Sequence, residues 1–248
     1  MPRLISFRLV AACALALVLS LAVSASALAK GVSAELRVVG KGNKVLSEQT
    51  LSTGTITFKT SAKANCFGAG TAGSGKSVTL KGATALGLLG QASKSTAALR
   101  PLLITDAFDF GLGICGVGQS TVSGKASWYL KVNHKGATVS GDAVKLHPGD
   151  EVLWDLAPSY PYPNELSLTA PESATAGLPF QVTVVSYDEK GKRKPVAGAT
   201  VSGASGPTDS AGHATVTLST PSLLSATHGK DIPAAAVAVC LGGSCPAA

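Results

Sequence analysis

Apolar and polar positions alternate from Val32 to Gly40 and again from Lys44 to Leu51, about a Lys41-Gly42-Asn43 turn. That period of two predicts a pair of strands, and Gly54 to Lys59 continues it as a third. The pattern lapses in a Gly-rich loop from Asn65 to Gly75. It returns with a different period at Thr84, where Ala85, Leu86, Leu88, Leu89 and Ala92 fall on one helical face behind a Thr N-cap. Gly87 and Gly90 each cost roughly 1 kcal/mol against Ala in a helix, so this helix must be held by packing on a sheet. Arg100-Pro101 ends it. Leu102 to Phe110 reads as a return strand, followed by a second Gly-rich stretch, Gly111 to Gly118, which contains Cys115.

The strongest alternation lies between Ser127 and Leu156. Trp128, Leu130 and Val132 share one face of a strand, and Tyr129, Lys131 and Asn133 share the other. Asn133-His134-Lys135-Gly136 and His147-Pro148-Gly149-Asp150 form turns, and Val152, Trp154 and Leu156 point inward from the strand Glu151 to Leu156. Two tryptophans on the core face of one small sheet make a sensible core pair. Ala157-Pro158-Ser159-Tyr160-Pro161-Tyr162-Pro163 then reads as a stiff, extended, polyproline-like linker. Beyond it, short alternating runs such as Phe180 to Val184 and His213 to Leu218 recur between turns at Glu189 to Lys192 and Asp209 to Gly212, the spacing of a seven-strand sandwich.

These elements predict an α+β module followed by an all-β module. The boundaries are residues 30–157, a linker at 158–164, and residues 165–248. A segment of another kind precedes them. Arg3 and Arg8 flank an apolar run from Leu9 to Val23, and Ala27-Leu28-Ala29 supplies the small residues of a signal-peptidase site. The run is shorter than the ~20 apolar residues of a spanning helix, so residues 1–29 read as a removed export signal. Cys13 sits too early in the apolar core to be a lipidation site. The expected product is secreted or displayed at the cell surface, with no membrane span after cleavage.

Only 14 % of residues are charged, which favours strands and tight turns over long helices. Residues 30–165 carry fourteen basic and nine acidic side chains, and 166–248 carry five of each. The excess lysines are scattered rather than gathered with aromatics, which argues against nucleic acid and for a solvated surface. Four cysteines follow the leader: Cys66, Cys115, Cys240 and Cys245. Outside the cytoplasm an even count predicts disulfides, with three possible connectivities; sequence locality favours Cys66–Cys115 and Cys240–Cys245. Neither a CxxC nor a closely spaced His pair is present, so no metal is expected.

The set Trp128-Tyr129, Asn133 and Pro148-Gly149-Asp150-Glu151 with Trp154, together with Thr84-Ala85-Leu86 and Asp109-Phe110-Gly111, resembles the transcobalamin C-terminal-like domain (domain of unknown function 4430) over residues 32–157. The resemblance implies a β-grasp-like mixed sheet with one helix and, by analogy, a cobalamin-type ligand. The large helical domain that accompanies it in transcobalamins has no counterpart in these residues. The chain departs from the family at Asn133-His134-Lys135-Gly136, where relatives tend to have Asn-Gly. Pro195 to Val201 with Thr208 to Ala214 resembles bacterial immunoglobulin-like and carboxypeptidase-regulatory-like modules, which implies an immunoglobulin-like β-sandwich and no particular activity.

Gly70-Thr71-Ala72-Gly73-Ser74-Gly75-Lys76-Ser77 matches the phosphate-binding loop GxxxxGK[ST]. Such a loop must open a helix, whereas Ser77 to Leu80 reads as a strand, and nucleoside triphosphates are scarce outside the cell. His134, His147, His213 and His228 fall at turns or strand starts without a nucleophile elbow. Asp106 and Asp109 fit a solvated strand end, and Asp150 and Glu151 fit a turn cap. No catalytic residue and no cofactor is therefore assigned. Tyr129, Tyr160 and Tyr162 are the candidate ligand-binding residues, since aromatics near a domain junction either bind a ligand or pack the domains together. The expectation is a secreted, non-enzymatic binding or surface-associated protein with a small molecule or a cell-wall component as partner. The alternatives are a structural or adhesive protein and, further off, an exported hydrolase. Oligomeric state leaves no mark in the sequence.

Overall fold

The computed structural model describes residues 31–247; the export signal expected at residues 1–29, with Cys13, lies outside them. In the first module, β1 (Val32–Gly40) and β2 (Lys44–Thr53) form the expected hairpin, and β3 (Ile56–Lys59) pairs instead with β4 (Ser77–Leu80). Helix α1 (Ala85–Ser95) follows, then β5 (Leu102–Thr105), β6 (Gly113–Val117), β7 (Ser120–Thr121), β8 (Ser127–Val132), β9 (Lys135–Gly136) and β10 (Glu151–Ala157). The main sheet has the order β2-β1-β10-β8-β9, with β1 and β10 parallel at its centre. Strands β5-β6-β7 make a smaller antiparallel sheet.

Pleating sorts the main sheet into two faces. Ala34, Leu36 and Val38 on β1, Leu130 on β8, and Val152 and Trp154 on β10 share a core with Leu86, Leu88 and Leu89 of α1. Thr84 caps the helix as expected, its Oγ1 accepting from Gly87 N at 3.0 Å. The helix stops at Ser95 rather than at Arg100. Ser93 and Ser95 turn their hydroxyls onto the carbonyls of Gly90 and Ala92, and Thr96 accepts from Gln49 Nε2, so the chain leaves the helix there.

The helical glycines are explained by close approach to β3. A Cβ at Gly87 would lie 2.9 Å from the capping Thr84 Oγ1 and 3.3 Å from Ile56, and one at Gly90 would lie 3.3 Å from Ile56. Gly87→Ala is therefore expected to destabilise by about 1 kcal/mol in urea unfolding, although helix propensity by itself predicts a gain of similar size. A net gain would show that the space is not limiting.

Two expectations need correction. The strand predicted over Leu102 to Phe110 ends at Thr105, because Asp106 accepts from the backbone N of Ser74 at 2.7 Å and from its hydroxyl, pulling the chain out of register. The Gly-rich stretch after it is itself a strand, with Ile114, Cys115 and Val117 buried. The stretch that matches the phosphate-loop pattern is followed by strand β4, as its sequence predicts, and Gly73 N donates to Ser61 O at 2.9 Å. Cys66–Cys115 and Cys240–Cys245 form disulfides with Cα separations of 4.5 and 4.2 Å, compatible with an extracellular protein. Among the described residues no helix is long and apolar enough to cross a membrane.

The chain bends at residues 158–161 rather than running on as an extended rod. Beyond lie β11 (Glu165–Thr169), β12 (Ser173–Ala174), β13 (Pro179–Tyr187), β14 (Arg193–Pro195), β15 (Thr200–Val201), β16 (His213–Thr217), β17 (Ser222–Leu224), β18 (Ala226–Thr227) and β19 (Val237–Leu241). Strand β13 pairs with β11 along one edge and with β14 and β16 along the other. β12-β19-β17 form a second sheet and β15-β18 a short pair. Leu166, Val182 and Val216 from the first group share a core with Leu224 and Val239 from the second. The described residues are thus largely β, with two hydrophobic cores on either side of the Pro-Tyr segment.

Candidate functional site

Aromatic side chains make up only 5 % of the sequence, yet six of them converge on one groove in the first module. The Cys66–Cys115 disulfide ties the Gly-rich loop to β6, and the loop after β5 folds over it. Phe67 from the first loop meets Phe108 from the second at 6.3 Å between centroids, and Phe108 stacks on Phe110 at 4.9 Å and 11°. Trp128, Tyr129 and Trp154 complete the lining. Glycines make room for the rings: a Cβ at Gly113 would lie 2.7 Å from the Phe108 ring, and one at Gly141 would lie 2.6 Å from Trp154. The cavity measures about 220 Å³.

The groove is open to solvent on its phenylalanine side. Phe110 is 71 % exposed and Phe67 is 60 %, values that a ring with no function in water seldom has beside other exposed apolar groups. Trp128 Nε1 is buried in the wall without a protein acceptor, whereas Trp154 Nε1 donates to Ala85 O at 3.4 Å. Along the wall, β9 pairs only with Lys131 and Val132, so the outer edge of β8 from Ser127 to Tyr129 carries no partner strand among the described residues.

The three tyrosines singled out in the sequence come together beside this groove. Tyr129 stacks on Tyr162 at 3.9 Å and 19°, and Tyr160, 73 % exposed, meets Tyr162 edge-on at 5.6 Å. A Cβ at Gly136 would collide with the Tyr129 hydroxyl, so glycine is required there for the ring to lie flat. Burial, the Glu189 carboxylate and Tyr162 hold the Tyr129 phenol above its ordinary pKa. The phenylalanines were not anticipated. Their signal was position: Phe67 falls in one Gly-rich segment, and Phe108 and Phe110 stand at the end of the expected strand, next to the other.

The second face of the main sheet, which carries Arg37, Lys131 and Asp155, is buried against residues 165–247. Ile232 packs on Val39 and Leu153. Lys131 is only 1 % exposed and Asp155 2 %, with Arg37 and Glu165 also buried. The Arg37 guanidinium donates to Glu165 and to Pro233 O. Lys131 Nζ donates to Tyr187 O at 3.1 Å and Asp188 O at 3.3 Å, and lies 3.9 Å from Glu165.

His134 completes this junction from an unusual backbone. With Asn133 it forms the two-residue turn between β8 and β9, φ being 50° at Asn133 and 66° at His134. Asn-Gly is the common solution for two left-handed residues. Histidine stands here because its ring has work to do: it stacks on Tyr187 at 3.9 Å and 5°, and its Nδ1 lies 3.2 Å from Glu165. Glu165 holds the imidazole above its ordinary pKa. Burial pushes the Asp155 carboxyl up to about 7 despite the nearby Lys131 and Arg37 cations. Desolvation opposes ionisation of Glu165, but His134, Arg37 and Lys131 together outweigh it and hold its pKa below the ordinary value. The adjoining polar cavity, about 50 Å³, has room for a water or two and for no organic ligand.

The aromatic groove is accordingly the candidate ligand site, and the charged cluster is the joint between modules. Comparison of the chain with family models, curated proteins and solved structures gave no match.

Proposed function

We propose that this is a secreted, non-enzymatic binding or surface-associated protein that holds its ligand in the aromatic groove of the first module. The observation that carries the reading is the convergence of Phe67, Phe108, Phe110, Trp128 and Trp154 on one open cavity in a chain poor in aromatics. Binding suits a lining of aromatic rings with Ser140 and the unpaired Trp128 Nε1 as its polar groups, the adjacent Asp142 carboxylate accepting from Leu112 N. The two disulfides support an oxidising, extracellular setting.

The order β2-β1-β10-β8 with a parallel central pair and one helix supports the β-grasp-like reading of residues 30–157. The two-sheet core of residues 165–248 supports the immunoglobulin-like one. A cobalamin-type ligand is less well supported by the groove, since about 220 Å³ is below the roughly 300 Å³ at which drug-sized pockets begin and cannot enclose a corrin macrocycle. The second module acts as a rigid mount through its buried joint.

The test is sedimentation of the full secreted protein with isolated cell envelopes. Phe67→Ser with Phe110→Ser is expected to cut the bound fraction about tenfold while leaving the circular dichroism spectrum unchanged, because both rings are largely exposed. Equal retention of the double variant would sink the proposal.

A further inference from the structure

We infer that the groove recognises a neutral glycan, seating one pyranose ring in the cavity and the next along the adjoining exposed phenylalanines. This rests on the binding reading above and adds the ligand class.

Charge decides first. None of the sixteen lining residues is Asp, Glu, Lys, Arg or His, although residues 30–165 carry fourteen basic and nine acidic side chains. An anionic polymer or a charged peptide would meet no counter-charge there, so an uncharged ligand is the complementary one. Size decides next: about 220 Å³ accepts a single substituted six-membered ring.

Surface chemistry then selects among neutral rings. A pyranose offers an apolar C–H face ringed by hydroxyls. The groove offers the outward face of Phe110, backed by Phe108, with Ser140 and the unpaired Trp128 Nε1 in its wall. A wholly apolar ligand would leave those polar groups without a partner. The aromatic surface also continues past the cavity, because Phe67, 60 % exposed, meets Phe108 beside exposed Phe110. A run of rings longer than the cavity suits a polymer better than a monosaccharide.

The bare edge of β8 suggests the rival, an extended peptide adding a strand. Leu130 O already accepts from Ala137 N at 2.9 Å, so alternation leaves Trp128 as the residue between Ser127 and Tyr129 whose N–H and C=O face outward. One residue's pair of hydrogen bonds is a short ladder for strand addition.

Both tryptophans of the chain line the groove, so intrinsic fluorescence reports on it directly. The full secreted protein is titrated with gluco-, manno- and galacto-configured neutral hexasaccharides, with polyglutamate, and with an uncharged extended hexapeptide. At least one hexasaccharide is expected to change the emission saturably. Its affinity should vary less than twofold between 0.05 and 0.5 M salt and fall about tenfold in Phe110→Ala. Response only to polyglutamate, lost in salt, or only to the peptide would overturn the assignment. So would no response to any sugar; if envelope binding still depends on Phe67 and Phe110, the binding reading then survives and the glycan does not. Loss of both results removes both.

Discussion

Replacing Glu165 with alanine is expected to lower the unfolding free energy by roughly 3–5 kcal/mol, the range for removing one partner of a buried ion pair. Glu165 opens β11 and is almost wholly buried, and it is the acidic group that the Arg37 guanidinium, His134 and Lys131 all approach. Without it Arg37 keeps only Pro233 O, and Lys131 keeps only the carbonyls of Tyr187 and Asp188. Two buried cations would then be left with carbonyls and at most a water or two in place of the carboxylate. Urea unfolding with the disulfides intact reads the loss, and a change below 1 kcal/mol would show that the pair is solvated in solution. A second variant isolates the cause: Arg37→Met combined with Glu165→Leu removes this pair and should recover part of the loss, because similar volume is kept without the cost of desolvating Arg37, while Lys131 still lacks Glu165.

Raising the pH from 4 to 7 is expected to reduce stability through Asp155, by an amount on the order of 3–4 kcal/mol. Its folded pKa is raised to about 7, so over this range the folded protein holds a proton that the unfolded chain has released, and folding weakens as pH rises. His134 extends the trend. Its pKa is also raised, so its stabilisation is complete below about 6.5 and is lost as pH climbs through the folded value. Glu165 works in the opposite sense at lower pH, its depressed pKa giving stability above about 4.5 that is lost on acidification. Burial lowers the Lys131 pKa against the pull of Glu165 and Asp188, so its charged form needs a lower pH than an ordinary lysine's. The joint is consequently tightest in mildly acid solution. Asp155→Asn keeps the shape and the neutral state, so its stability should be nearly flat between pH 4 and 6 and should exceed that of the parent at pH 8. Parallel pH profiles for parent and variant would refute the assignment.

The local elements were largely legible. β1, the hairpin turn at Lys41 to Asn43, the Thr84 cap, β8 and β10 all follow from period and turn chemistry, because each depends on residues close in sequence. Locality also favoured the observed cysteine pairing. The end of α1 was misplaced because a partner 47 positions away, Gln49, takes up Thr96. The strand hidden in Gly113 to Val117 was missed for a related reason: its glycines admit Leu103 and Phe108 side chains that only the folded chain brings there.

The candidate site divides along the same line. Alternation puts Tyr129 opposite Trp128, and Pro-rich spacing leaves Tyr160 and Tyr162 outside any core, so the tyrosines could be singled out from pattern alone. Phe67 and Phe108 lie 41 positions apart and meet because a disulfide closes the loops that carry them. Likewise, Arg37, Lys131 and Asp155 occupy the face that a lone half-polar sheet would turn to water. Period two assigns residues to a face but carries no information on what covers it. The second module covers this one, and in doing so turns ordinary surface charges into a buried, pH-sensitive joint.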